Sequence, residues 1–364
     1  MDSLRRERPG MDYYDITSPV IKFDSLQLLL AIANTLNWEI EMMDVIGAYL
    51  NLELEEEIYM KQPKGFNDGS GRVLKLHCAI YGLKQVGRAW YNHLCKTLLN
   101  LRYIQSITDE CLYIQKGESG INIIAAYVDD LGLVSNTKTR MAKVKQELNT
   151  KLPMTDLGEM KKILGLKVER NREEGTLRIS QGPYIDTILM CFHMQNTYPA
   201  LTPFNISTKL DIPLEINDGP RTDAPYAQAI GSLMYAALGT CPNIAFATQH
   251  LSQFTNSYGP EHWTAIKHIL CYLIGTWDDG ILFRKEAGLE LWIYVDADYA
   301  NRSDAKSISR YVAMLGGGSI AWSARKQRTV SLSTTEAKYI ALTEGAKELI
   351  WLRNTLQELG FDQS

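Results

Sequence analysis

The amino-acid sequence predicts an α+β protein of more than one domain. Three observations predict it: strand-like alternation around paired acids in the first half, three consecutive helical patterns from Tyr226 to Ile274, and a return to strands before one long amphipathic helix. At about 150 residues per domain, the 364 residues allow two domains, or one domain plus a piece of another. Hydrophobic residues make up 45% and charged residues 22% of the chain, a balance that buries a sizeable core and excludes collagen-like, low-complexity and coiled-coil classes.

Asp24 can cap a helix over residues 25–37 whose leucines and alanines cover one face, and Trp38 to Val45 alternates like a strand, which puts Asp44 at a strand end. Val73 to Leu76 reads as a strand, followed by a turn at Tyr81-Gly82 and a helix from Gly87 to Leu101. Two apolar runs between Ile121 and Val134 meet at Asp129-Asp130, the pattern of a hairpin with a two-residue turn. A helix over Lys138 to Leu152 is closed by Pro153, and strands follow at Lys162 to Arg170 and Thr176 to Ser180. The Pro-punctuated stretch from Tyr198 to Pro225 reads as a linker. Beyond it come helices at Tyr226 to Leu238, Asn243 to Phe254 and Pro260 to Ile274, the last with Pro at its start. Leu289 to Asp296 turns back to strand, a strand pair flanks Gly316-Gly317-Gly318, and an amphipathic helix runs from Thr334 to Leu359.

Composition narrows the function classes. The densest apolar stretch, Leu26 to Leu36, is broken by Gln27 and Asn34, well short of the roughly 18 apolar residues of a membrane span. No apolar run follows the basic start, so no signal peptide and a soluble intracellular protein are expected. Six cysteines without a C-x-x-C pair read as incidental thiols. Net charge is −4, but it is unevenly spread. Seven acids and no cation lie between Glu39 and Glu57, eight cations and one acid between Lys61 and Arg102, and five cations with no acid between Ala305 and Thr335. Such runs are commonly solvated faces. Cationic blocks flanking carboxylate clusters also suit anionic phosphates meeting bound metal.

Two adjacent acids at a hairpin tip are good turn formers, and an acid at a strand end is equally unremarkable. Together, Asp44, Asp129 and Asp130 converge only if something cationic holds them, because like charges a few ångströms apart repel. Two Mg²⁺ ions roughly 3.5–4 Å apart and bridged by carboxylates form a phosphoryl-transfer site.

Tyr127-Val128-Asp129-Asp130 resembles the YVDD box of reverse transcriptases, and Met43-Asp44-Val45-Ile46-Gly47-Ala48-Tyr49-Leu50-Asn51 resembles the upstream box that carries the other catalytic Asp. Residues 57–66 (EIYMKQPKGF) and 81–91 (YGLKQVGRAWY) are similar to copia-type retrotransposon polymerases in particular, and the resemblance runs from about Glu7 to Leu359. It implies a right-hand polymerase palm with truncated fingers (1–197), a linker and helical thumb or connection (198–285), and a partial ribonuclease H-like α/β domain (286–364). Asp44, Asp129 and Asp130 would bind two Mg²⁺ ions and align a primer 3′-hydroxyl with the α-phosphate of a dNTP. Tyr49 would sit under the sugar, although an aromatic there also reads as core, and Gln85 would contact nucleotide or template. Lys84 and Arg88 would contact phosphates, and Leu164-Gly165-Leu166 resembles the primer-grip hairpin. Tyr294 to Tyr299 and Ser333 to Ala337 resemble the start of the ribonuclease H domain, with Asp296 and Glu336 as two of its metal acids. Ser333-Thr334-Thr335-Glu336 is equally a helix-capping box.

The chain also departs from that family. It begins where the fingers should already be half built and stops before the later ribonuclease H acids, so a dead ribonuclease H site is expected. Leu52 stands where a turn Gly is usual, and a branched side chain is costly there if the turn needs φ > 0. Cys241 and Cys271 stand for thumb arginines, Ile274 for a lysine and Arg310 for a glycine. Three lost cations would remove up to three phosphate contacts, with a salt slope of about 0.9 for each. The pattern suits a decaying genomic copy. The expected function is RNA-directed DNA polymerase of a copia-type element, with RNA template, DNA primer and dNTP as partners and no membrane. The resemblance implies a polyprotein origin, and action in a cytoplasmic particle before the product reaches the nucleus. The alternatives are an inactive remnant that retains at most nucleic-acid binding and, more remotely, an unrelated two-metal hydrolase.

Overall fold

The computed structural model describes residues 17–52, 54, 57–117, 120–205, 210, 224–299 and 305–363. Glu53, Glu55 and Glu56 of the acidic run, the basic amino end and most of the expected linker lie outside the described residues. The chain is mixed α and β and forms two compact units, residues 1–22 with 38–160, and residues 23–37 with 161–364.

Helix α1 (Phe23–Thr35) belongs to the second unit. It starts earlier than its sequence predicts, so Asp24 lies within the first turn rather than capping it. Every residue from Ser25 to Asn34 is buried, not one face alone. Its two buried amides are anchored in consequence: Gln27 Nε2 donates to Gly239 O at 2.7 Å and Asn34 Nδ2 to Gly175 O at 3.0 Å.

The first unit runs β1 (Glu39–Val45), β2 (Tyr59–Lys61), β3 (Val73–Lys75), α2 (Val86–Asn100), β4 (Ile104–Gln105), β5 (Leu112–Gly117), β6 (Gly120–Tyr127), β7 (Asp130–Ser135), α3 (Lys138–Asn149) and β8 (Met154–Glu159). Six strands form one antiparallel sheet in the order β4-β5-β6-β7-β1-β8, while β2 and β3 pair separately. One sheet face carries Met43, Val45, Ile124, Ala126, Leu131 and Leu133, which pack with Trp90, Leu94 and Leu98 of α2 and with Met141, Val144 and Leu148 of α3. Sealing one face with helices leaves the ends of β1 and β7 to display polar groups on the other. Helix α3 stops at Asn149, short of the expected Leu152, and the Asn149 side chain accepts from Met154 N at 3.2 Å. Pro153 also disfavours a helical residue before it. Lys145 of α3 ties Glu41 of β1 to Asp156 of β8, so part of the acidic run serves the fold.

The second unit continues with β9 (Lys162–Ile163), β10 (Leu166–Asn171), β11 (Thr176–Ser180), α4 (Gly182–Cys191), α5 (Tyr226–Gly239), α6 (Ala245–Ser252), α7 (Pro260–Gly275), β12 (Gly280–Arg284), β13 (Trp292–Asp298), β14 (Ile308–Leu315), β15 (Gly318–Lys326) and α8 (Thr334–Leu359). The chain leaves β11, builds α4 to α7 around a core that includes Ile185, Tyr226, Leu233, Ile266 and Ile269, and returns to pair β12 with β11. That pairing is why residues 161–197 cluster with the helices. Cys241 is 5% exposed within this core, and burial pushes its thiol up to about 11. Cys271 and Ile274 pack at the core's margin.

Strands β13, β14 and β15 form a three-stranded sheet with α8 against it. Gly345 allows that approach: a Cβ there would stand 2.5 Å from Val295 Cγ2 and 3.6 Å from Ile293 Cδ1. Gly345→Val is therefore expected to destabilise the fold by about 1–3 kcal/mol through overpacking. The measurement is urea unfolding, and a midpoint equal to that of the unsubstituted chain would show that α8 does not need the glycine.

Candidate active site at a strained hairpin turn

The hairpin predicted around the paired acids forms, displaced by one residue. Tyr127 pairs with Asp130, so the two turn residues are Val128 and Asp129, and Asp130 opens β7. Val128 adopts φ +51°, a left-handed conformation that a β-branched residue rarely takes. Strain of this kind costs of order 1–3 kcal/mol and persists where surroundings over-determine the backbone. Here both turn carbonyls are held: Trp90 Nε1 donates to Val128 O at 2.7 Å, and Val45 N donates to Asp129 O at 2.9 Å. Trp90 is 2% exposed and belongs to the α2 core. The tryptophan lies within the 81–91 segment, yet nothing local to it signals a hydrogen bond to a turn 38 residues away.

Asp44 of β1 lies directly opposite Asp130 of β7, and Thr155 of β8 lies opposite Asp44 on the other side. Residues paired in this way are about 4.5–5.5 Å apart at Cα and point to one face. Tyr127, Asp130, Asp44 and Thr155 thus form one row across the sheet end, with Asp129 beside it in the turn. Asp129 Oδ2 accepts the Tyr81 hydroxyl at 2.7 Å, whereas Oδ1 is buried and has no hydrogen-bond partner. Burial first, and then the charge of Asp44, raise the Asp129 carboxyl above its ordinary value, with the Tyr81 bond opposing them. The same bond, with burial and nearby acids, pushes the Tyr81 phenol up to about 12. Tyr81→Phe removes the one contact that favours the carboxylate, so the Asp129 pKa is expected to rise further. A ¹³C carboxyl titration of aspartate-labelled, metal-free protein measures this, and an unmoved Asp129 would refute the assignment.

Among the described residues, no three His, Cys, Asp or Glu side chains stand ready to hold a metal, so Asp44, Asp129 and Asp130 do not form a closed cage. Like charges oppose close convergence of the carboxylates, and one Asp129 oxygen is taken by Tyr81. The donor set nonetheless fits a divalent ion, since a buried carboxylate oxygen without a partner is costly unless something cationic reaches it.

The other residues singled out in the sequence lie partly in the first unit and partly in the second. Tyr49 follows Gly47, which has φ +60°, in a short 3₁₀ turn, and its ring centroid lies 4.5 Å from that of Tyr81. Leu52 has φ −102°, so the expected strain at this position does not arise, and its side chain is buried. Gln85 precedes α2 and is 6% exposed, with neither its amide nitrogen nor its oxygen hydrogen-bonded. Lys84 is exposed, and Arg88 reaches Thr17 O at 3.3 Å and lies over the Tyr91 ring. Within the second unit, Leu164 and Gly165 (φ +50° and +72°) form the tight turn between β9 and β10, and Tyr235 donates to Leu164 O.

Asp296 lies on β13 and Glu336 in the first turn of α8. Ser333 Oγ accepts from Glu336 N at 3.1 Å, and a Glu336 carboxylate oxygen accepts from Leu332 N at 2.6 Å. Ser333 is thus the helix cap, and Glu336 returns its bond one residue earlier than a capping box does, to Leu332 N. No helix among the described residues is long and apolar enough to cross a membrane.

The family model described as reverse transcriptase (RNA-dependent DNA polymerase) matches residues 5–206. The chain is 41% identical, over 98% of its length and 27% of the relative's, to a retrovirus-related Pol polyprotein from transposon TNT 1-94 of Nicotiana tabacum. It is 36% identical, over 97% of its length and 24% of the relative's, to that from transposon RE1 of Arabidopsis thaliana. The chain therefore spans about a quarter of the length of these relatives. A solved prototype foamy virus protease-reverse transcriptase is 13% identical, covering 93% of this chain and 39% of that one, with a TM-score of 0.24, too low to superpose the two as wholes.

Proposed function

The chain belongs to the reverse transcriptase (RNA-dependent DNA polymerase) family, and from that premise we propose that it carries the nucleotidyl-transfer site of a copia-type retrotransposon polymerase. The observation that carries the reading is the row Asp130–Asp44 beside a strained, doubly held Val128-Asp129 turn that keeps one buried carboxylate oxygen without a partner. Asp44, Asp129 and Asp130 would hold two Mg²⁺ ions, which when bound supply charge neutralisation at the reacting phosphate.

The protein's own groups do the rest. The Trp90 and Val45 contacts fix the backbone of the turn from which Asp129 and Asp130 project. Tyr49, braced by the Tyr81 ring, would back the sugar of a dNTP. The unpaired Gln85 amide suits a nucleotide or template contact, because a buried amide left unbonded favours a ligand that completes it. Lys84 and Arg88 would take phosphates, and the Leu164-Gly165 turn would support the primer. Residues 1–197 would act as palm with partial fingers, 198–285 as thumb and connection, and 286–364 as a ribonuclease H-like segment. RNA template and DNA primer are the proposed partners, other parts of the polyprotein act with it, and a cytoplasmic virus-like particle is the proposed location.

Mg²⁺-dependent primer extension on an RNA template tests the proposal, comparing the chain with an Asp129→Asn, Asp130→Asn variant. Extension lost in the variant supports it. No extension by soluble, folded protein would refute catalytic competence and favour an inactive relative that keeps at most nucleic-acid binding, which duplex binding would then measure.

A further inference from the structure

The strand face that carries Asp296 already holds a cation, and it belongs to the protein. In the β13–β14 ladder Asp296 is directly opposite Arg310, and Arg310 is opposite Ala324 of β15. Partners across an antiparallel ladder share a face, as do residues two apart on one strand. Asp296, Asp298 and Arg310 therefore lie together on one side of the sheet. Arg310 Nη2 stands 3.5 Å from Asp298 Oδ2. The guanidinium carbon lies 4.6 Å from the centroid of the Phe246 ring of α6, and Nε is buried. The small Ala324 neighbour leaves the long side chain room to lie along the sheet.

We propose that Arg310 is the resident cation of this face, and that Asp296 and Asp298 form a guanidinium–dicarboxylate cluster in place of a divalent-metal site. A guanidinium stays charged at every accessible pH and offers only donors, so it can satisfy carboxylates but can never be a metal ligand. A hard divalent ion needs several oxygens at about 2.0–2.6 Å. At Asp296 it would meet a fixed positive charge held from two sides, by Asp298 and by the Phe246 ring. Glu336 has one carboxylate oxygen already committed to the backbone at the start of α8. The residues of this face thus do not fit the metal pair that the ribonuclease H resemblance implies. This mismatch is independent of the polymerase proposal, and it is decided by one residue rather than by the extent of the chain.

The test is Mn²⁺ binding followed by electron paramagnetic resonance, on full chains carrying Asp129→Asn and Asp130→Asn so that the hairpin acids do not contribute. With Arg310 present, adding Asp296→Asn is expected to leave Mn²⁺ binding unchanged. Arg310→Gly is expected to tighten binding by about tenfold or more, the scale of removing one positive charge a few ångströms away in a partly solvated site. That gain should vanish when Asp296→Asn is added. Arg310→Gln keeps most of the stem over Phe246, which guards against misfolding, and is expected to gain Asp296-dependent binding as well. Mn²⁺ binding that depends on Asp296 while Arg310 is present would overturn the proposal. So would folded Arg310→Gly and Arg310→Gln chains that gain nothing.

Discussion

Primer extension by the Asp129→Asn, Asp130→Asn chain is expected to fall by about a thousandfold or more relative to the unsubstituted chain. Carboxylate-held metals contribute several kcal/mol to phosphoryl transfer, and each 1.36 kcal/mol is a factor of ten. Asparagine keeps the shape of the turn but removes the charge that would hold the ions. Stability should move the other way in metal-free buffer. Asp129 is raised by burial and by Asp44, so the folded chain binds its proton more readily than the unfolded chain does. Stability is consequently lost as pH rises from the ordinary value of 3.8 through the folded value, and at pH 7 the buried charge is a cost. With EDTA present, Asp129→Asn should melt above the unsubstituted chain at pH 7, and the gap should close on acidification. A variant that extends primers normally, or melts lower at pH 7, would contradict this account of the acids.

Trp90→Ala should be the most damaging single substitution outside the acids. It empties a site that is 2% exposed in the α2 core, a change of the kind that costs about 3–5 kcal/mol. It also leaves the Val128 carbonyl without its donor. Trp90→Phe separates the two effects: the ring largely remains, while loss of the N–H bond is expected to cost about 1–3 kcal/mol. With the clamp gone, Val128 is free to leave φ +51°, and the acids lose their fixed placement. Extension should therefore drop by more than the folded fraction does, appearing in kcat rather than in KM for dNTP. Wild-type melting and wild-type kcat in Trp90→Phe would show that the turn needs no clamp.

Much of the fold was legible because its signals are local. Helices α5 and α7 and the long α8 follow apolar periodicity with Pro260 and Ser333 at their starts, and each forms close to where its pattern places it. Strands β5, β8 and β12 were not legible: their alternation is short or broken, and they are strands because β6, β1 and β11 offer them a partner. Helix α4 was missed although Pro183 at its first turn and the spacing of Ile185, Ile188 and Leu189 mark it. Around the site, the acids and Tyr49 could be named from sequence boxes. The one-residue shift of the turn could not, because it depends on which residues pair across the ladder.

By itself the sequence determined which chemical groups are present, their order along the chain and the family to which they belong, since motifs and periodicity are written in neighbouring residues. Only the tertiary structure decided that Asp44 faces Asp130, that Trp90 and Val45 hold a strained Val128-Asp129 turn, and that Arg310 lies against Asp298 across from Asp296. These are contacts between residues distant along the chain. Register, burial and the energy of an unpaired charge exist only once strands and helices have been brought together.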